Sequence, residues 1–227
     1  MELYKRGSRG EMVKQIQKAL AGAGLKVIPD GIYGEITAEA VKAFQKKNGL
    51  TADGVVGPAT LAKLIPCRFK KSKRTIKEII IHCTATPEGK DKTVAEIRAE
   101  HMAPKSKGGQ GWSDIGYHYV IYRDGSINIG RDVDKIGAHA QDHNAYSIGI
   151  SYVGGVENKP GVPYAQQKPK DTRTLRQKAA LLQLITQLKT LYPGAKVLSH
   201  RDCRMANGKL PNKACPSFDA TKEYEKI

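Results

Sequence analysis

One motif written twice constrains this chain before anything else does. Asp30-Gly-Ile-Tyr-Gly34-Glu-Ile-Thr37 returns 23 residues later as Asp53-Gly-Val-Val-Gly57-Pro-Ala-Thr60, and Val13-Lys-Gln-Ile-Gln17 is echoed by Val41-Lys-Ala-Phe-Gln45. Each Asp-Gly can turn sharply because glycine accepts positive φ, and the threonine or its neighbours can cap the helix that follows. Val13, Ile16 and Leu20 recur at helical spacing, as do Ala40, Val41 and Phe44, while Leu61 and Leu64 open a third short helix. Residues 1–66 are therefore expected to form a small three-helix domain. A block of this size is near the lower limit for independent stability, but it can fold alone.

With 227 residues in all, the chain has room for a second, larger domain. Hydrophobic residues make up 40% and charged residues 26%, ordinary values for a globular protein, and no apolar run approaches the roughly 18 residues of a membrane span. The N-terminal ten residues carry basic side chains with no apolar core behind them, so no secretory signal is expected and the chain should be made and at first held in a cytoplasm. Four cysteines, Cys67, Cys83, Cys203 and Cys215, are too few for a disulfide framework at this length and point instead to a metal or a reactive thiol.

The net charge of +16 should draw the protein to polyanions. Residues 1–66 hold ten basic and six acidic side chains, which places +4 there and +12 in the remainder. Nucleic acid, anionic lipid and anionic wall polymer all fit such a field. Only 6% aromatic residues and no base-reading motif argue against specific nucleic-acid recognition, leaving non-specific binding at low salt.

Residues 67–77 read as a basic, solvated linker, with six basic side chains among the ten from Arg68 to Lys77. Beyond it, residues 78–227 alternate strand and helix signals. Glu78-Ile-Ile-Ile-His82 and Lys196-Val-Leu-Ser-His200 are short β-prone runs that both end in histidine. Tyr117 to Arg123, the turn Asp124-Gly125 and Ser126 to Ile129 read as a hairpin. Leu181, Leu184, Ile185, Leu188 and Tyr192 form a helical stripe closed by Pro193-Gly194. The expected fold class is α/β, a mixed central sheet flanked by helices, with the small helical domain in front.

Ligand sites in open sheets lie at the carboxyl ends of strands, where His82 and His200 would stand. Together with Cys215 they could bind zinc and leave a fourth position open, the arrangement of a catalytic site. A hydrogen-bonded core histidine is the commoner fate of a histidine on a strand, so spacing alone leaves both readings open. Cys83 follows His82 and should face the opposite side as a packed core thiol. For Cys203, a ligand, a free thiol and a partner for Cys67 all remain open.

Two resemblances sharpen this picture. Asp30 to Thr37, Ala40 to Gln45 and Asn48-Gly49-Leu50 resemble the peptidoglycan-binding type 1 domain over nearly all of residues 8–65, which implies a wall-binding module. The second domain resembles the zinc-dependent N-acetylmuramoyl-L-alanine amidase family, type 2, especially its phage endolysin members. The matching stretches are Ile79 to Thr86, Gly111 to Tyr119, Arg123 to Gly125, Gly137 to Ala140, Asn144 with Ser147 to Gly149, Ser199-His200 and Lys213 to Asp219.

The amidase resemblance implies that His82, His200 and Cys215 hold one Zn2+, that Tyr117 and Lys213 assist catalysis, and that His139 and Asn144 lie near the substrate cleft. It implies a peptidoglycan hydrolase that cuts the amide between N-acetylmuramic acid and the L-alanine of the stem peptide, using water activated by zinc. Peptidoglycan is then the partner, and a monomer is expected. A phage endolysin would stay in the host cytoplasm until a holin-type lesion releases it to the periplasm and wall. A non-catalytic recognition protein and a bacterial autolysin are the alternatives. The stretch Cys203 to Leu210 makes the path from His200 to Lys213 longer than in the shortest phage members.

Overall fold

The computed structural model describes residues 3–65, 69–225 and 227, so Cys67 lies outside the described residues. The chain separates into two compact units, one running to Phe69 and the other opening at Lys70.

The first unit holds α1 (Glu11–Gly22), α2 (Glu35–Lys47) and α3 (Pro58–Leu64). Val13, Ile16, Leu20 and Val41 are fully buried, and Ala40, Phe44, Leu61 and Leu64 are nearly so, as the helical spacing requires. The repeated motif has one physical purpose, which is to satisfy a buried glutamine. Gln17 donates through Nε2 to Asp30 Oδ1 (2.8 Å), the Ile32 carbonyl (3.0 Å) and Thr37 Oγ1 (3.0 Å), while its Oε1 accepts from the Gly31 amide (2.8 Å). Gln45 repeats the pattern with Asp53 Oδ1 (2.8 Å), the Val55 carbonyl (2.9 Å), Thr60 Oγ1 (3.1 Å) and the Gly54 amide (2.9 Å).

The first glycine of each motif adopts the left-handed conformation, φ +81° at Gly31 and +72° at Gly54, which turns its amide toward the glutamine. The threonines do not cap the helices as the sequence suggested. α2 and α3 begin after Gly34 and Gly57 with no side-chain cap, and each threonine sits inside the first turn, where its hydroxyl accepts from the glutamine instead. A buried polar side chain without such partners would be strongly destabilising, so the aspartate, the first glycine and the threonine of each motif follow from the glutamine.

The second unit is built on β1 (Glu78–Cys83), β2 (Thr86–Pro87), β3 (Tyr119–Ile121), β4 (Ile127–Ile129), β5 (Ser147–Tyr152), β6 (Gly155–Val156) and β7 (Lys196–Ser199). Five of these form a sheet in the order β4-β3-β5-β1-β7, parallel except for the antiparallel β3–β4 hairpin at one edge, and β2 pairs with β6 separately. The hairpin turns at Asp124-Gly125 as expected, with Gly125 at φ +87°. Ile79, Ile80 and Ile81 are all buried, as are Ile148 and Ile150, the continuous apolar run of strands covered on both faces. The helices are α4 (Val94–Met102), α5 (Leu175–Leu191) and α6 (Ala220–Glu223). Near the start of α5, Gln177 donates to the Ile121 and Val153 carbonyls and so ties that helix to the ends of β3 and β5.

The segment from Lys70 to Lys77 differs from a solvated linker. Lys70 pairs with Asp134 (2.6 Å), Ser72 Oγ donates to the Val133 carbonyl (2.7 Å), and the Lys77 amide donates to the Tyr146 carbonyl (2.8 Å). Arg74 gathers backbone carbonyls at Val133 (2.8 Å), Asn144 (3.1 Å) and Ser147 (3.1 Å). Charge in the sequence suggested solvation, but the forked donors of a guanidinium serve carbonyls equally well.

Candidate metal centre and cleft

Adjacent parallel strands bring the two sequence histidines together. His82 is the penultimate residue of β1, and His200 directly follows β7, which pairs with β1 in register from Glu78 opposite Lys196. Their rings lie 4.4 Å apart between centroids. Cys215 arrives on the loop before α6, and one ligand atom from each of His82, His200 and Cys215 lies within 4.8 Å of the others. Among the bonds that hold that loop, the Arg201 amide donates to the Cys215 carbonyl (2.9 Å), Tyr152 Oη to the Pro216 carbonyl (2.8 Å) and Ser217 Oγ to the Gly155 carbonyl (2.7 Å). The first of these fixes the cysteine directly against the histidine's own turn.

The donor set suits a zinc ion. Burial holds the His82 pKa well below the usual histidine value, and burial together with the Lys213 charge takes His200 down to about 4, so both imidazoles are neutral near pH 7. Neutral nitrogen is the form that coordinates a metal. The Cys83 amide donates to Cys215 Sγ (3.3 Å), but the Cys83 thiol beside it and burial hold the Cys215 pKa well above the usual thiol value, so it is a bound metal that would draw the proton off this sulfur. His82 Nδ1 faces Cys215 Sγ (3.8 Å), while its Nε2 lies 3.1 Å from His139 Nδ1. With Nδ1 kept for the cluster, Nε2 carries the proton and donates to His139, which in turn stands 3.4 Å from Ser147 Oγ.

The other residues singled out in the sequence fall around this triad. The Tyr117 ring is 5.2 Å from that of His82, and burial raises its phenol pKa, so it remains a donor. Lys213 is exposed and lines two adjoining clefts, of about 600 and 380 Å3, that share Trp112, Ala138, His139 and His200. Asn144 lines the larger cleft, yet its Oδ1 is engaged in accepting the His139 and Ala140 amides (2.8 and 2.9 Å). Asn144 thus holds the backbone that carries His139, whose ring stands behind His82.

Some contributors were not legible as such. Trp112, the single tryptophan, borders both clefts. Gly149 leaves room for the His139 ring, since a Cβ there would meet its Cγ and Cδ2 at 2.5 Å. Cys83 is buried as expected, but it also lines the smaller cleft, with Sγ 3.7 Å from Ser217 Oγ. Cys203 stands outside the triad, its Sγ donating to the Ser199 carbonyl (3.5 Å) and its thiol pushed up to about 12 by burial. The long stretch after it folds back on itself, the Met205 amide donating to the Lys209 carbonyl, and is tied down by the Ala206 amide donating to Asp142 Oδ2 (3.0 Å).

Comparison with known proteins finds relatives for both parts of the chain. A peptidoglycan binding domain family matches residues 9–64, and the N-acetylmuramoyl-L-alanine amidase family matches residues 72–218. The endolysin of Klebsiella phage KP32 is 38% identical over 70% of this chain and 91% of its own length, and that of Escherichia phage T7 is 36% identical over 69% and 90%. A peptidoglycan-recognition protein of Drosophila melanogaster is 30% identical over 66% of this chain and 74% of its own. Among solved structures, the Ph2119 endolysin from a Thermus scotoductus bacteriophage is 25% identical over 68% of this chain and 87% of its own, with a TM-score of 0.47. The chain belongs to the N-acetylmuramoyl-L-alanine amidase family.

Proposed function

We propose that the protein is a modular, monomeric endolysin in which residues 1–66 hold the wall and residues 78–227 cleave it, with His82, His200 and Cys215 carrying one zinc ion. The observation that carries this reading is the meeting of those three donors within 4.8 Å beside a cleft that Lys213 overhangs. A bound zinc ion supplies a Lewis acid and makes water nucleophilic at neutral pH. The chain's own groups do the rest.

The scissile bond joins the lactyl carbonyl of muramic acid to the L-alanine nitrogen. As water adds and the carbonyl becomes tetrahedral, the Tyr117 hydroxyl and the Lys213 ammonium stabilise the growing negative charge. The C–N bond then breaks, and a proton passes to the departing alanine amine, with Tyr117 or Lys213 placed to give it. His139 and Asn144 line the larger cleft, where substrate would lie, and His139 also backs the His82 ring. Release to the wall through a holin-type lesion completes the reading, as for the phage endolysins the chain resembles.

The test is to incubate the protein with isolated peptidoglycan, with and without a zinc chelator, and to count new alanine amines against new reducing sugar ends. Chelator-sensitive amines without reducing ends are expected. Wall binding with no amine release from several wall chemotypes would identify a recognition protein instead. Lys213→Ala and Tyr117→Phe should each slow turnover by on the order of 100- to 1,000-fold with zinc retained.

A further inference from the structure

The two halves of the N-terminal repeat share a scaffold but differ on their surfaces. From glutamine to aspartate the chain runs 13 residues in the first repeat and 8 in the second. The longer path contributes Lys26, Val27 and Ile28 to a groove of about 620 Å3, whose other wall includes Ile32 and Ile36. Ile28 is 77% exposed, Ile36 70% and Ile32 43%. Counted from the aspartate, the matching second-repeat positions are Thr51, Ala59 and Val55. Large apolar side chains left in water within ten residues of one another are costly to keep and mark a contact surface. The fold does not require them, because the second repeat builds the same glutamine network without them.

We infer that this groove is where the N-terminal unit takes the stem peptide of peptidoglycan, an inference that rests on the wall-binding reading of that unit. The lining chemistry selects the peptide over the glycan. Among the described residues no aromatic ring lines the groove, so sugar faces find no stacking platform there, whereas β-branched aliphatic walls suit the methyl groups of alanine. Lys26 on one side and Asp30 and Glu35 on the other present charges of both signs, which suits a chain bearing carboxylates and an amine. Glu35 is already bridged to Arg6 at 2.6 Å and Asp30 Oδ1 accepts from Gln17 and the Ile32 amide, so Lys26 is the principal charge offered, a partner for the peptide's carboxylates. One consequence is specific to this pairing of modules: the amidase cuts stem peptides from the glycan, so the enzyme removes its own anchors and leaves spent wall.

The experiment measures co-sedimentation of the full chain carrying Lys213→Ala, which slows consumption of the wall, with intact walls and with walls stripped of stem peptides. Binding should weaken about tenfold or more on stripped walls. A similar loss is expected on intact walls when Ile28→Ser and Ile36→Ser are added, with unchanged thermal melting because both side chains are exposed. Ala59→Ser, at the matching second-repeat position, should bind like the parent. If the isoleucine pair binds like the parent while Gln17→Leu with Gln45→Leu, which breaks both networks, loses the wall, the groove is wrong and the module reading stands. If that glutamine pair also binds normally, the module reading falls too. Retention on stripped walls with loss in the isoleucine pair would make the ligand glycan and overturn the inference. Self-association abolished by the isoleucine pair would make it a second copy, with the same effect.

Discussion

The glutamine networks and the metal triad are both buried polar constructions, but they are assembled over very different distances. Gln17 reaches partners 13 to 20 residues away, all within one turn and one helix start. His82 and Cys215 are 133 residues apart and meet only because β1 lies between β5 and β7 in the finished sheet. A local network advertises itself as a motif, since each member must stand at a fixed spacing. A long-range site depends on strand order, which no spacing records.

The sharpest way to break this comparison is to remove one long-range member. Cys215→Ser should take zinc content from one per chain toward none and turnover to background, by metal analysis and alanine-amine release, while the first unit's melting stays put. Retained zinc at full stoichiometry would disprove the ligand set. A step below in size is Gly149→Ala, whose Cβ would press on the His139 ring at 2.5 Å. Displacing the ring that supports His82 should weaken zinc affinity about 10- to 100-fold, read by competition with a chromophoric chelator. Unchanged affinity would show that His139 does not hold His82.

The local network should respond in stability alone. Gln17→Leu leaves the buried Gly31 amide and Thr37 hydroxyl without their partner and should cost the first unit about 3 kcal/mol in chemical denaturation. Gln45→Leu should cost a similar amount, because its four contacts match. A loss below about 1 kcal/mol in either would mean that water replaces the amide, and the motif's spacing would need another cause.

The helices of the first unit, the hairpin and the two histidine-ended strands were all legible, since each follows from spacing within a dozen residues. The triad was legible only as three residues of the right chemistry. What joined them was parallel pairing of β1 with β7, a fact about the sheet. Asn144 could be placed near the cleft, but not as the acceptor of the His139 and Ala140 amides, because that depends on how the 138–144 turn closes. The threonines misled for the opposite reason. A threonine at a helix start ordinarily suggests a cap, and the buried glutamine opposite explains why Thr37 and Thr60 stand inside the first turn instead.

The smallest expected effect separates the two regions by pH. His143 Nδ1 lies 2.7 Å from Glu78 Oε2, and its Nε2 lies 2.9 Å from the Arg204 carbonyl, so both nitrogens face acceptors and the ring makes both bonds only when charged. Burial opposes that charge, but the Glu78 carboxylate and the Arg204 carbonyl outweigh it and leave the pKa raised above 6.5. A raised folded-state value stabilises below the unfolded pKa and is lost as pH rises through the folded one. Asp30 has the opposite sign: hydrogen bonds from the Ile32 amide and from Gln17 lower its pKa below 3.8, so its contribution is present above that value and lost as pH falls through the folded one. Hydrogen exchange, corrected for intrinsic rates, should therefore show residues 204–209 loosening by a few-fold from pH 6 to pH 9, while residues 30–37 hold across that range and loosen only in acid. His143→Gln should remove the alkaline loosening without touching the acid one. If residues 204–209 kept constant protection to pH 9, the charged clamp on the cleft wall would be wrong, and the loop would be held by Asp142 and its own backbone alone.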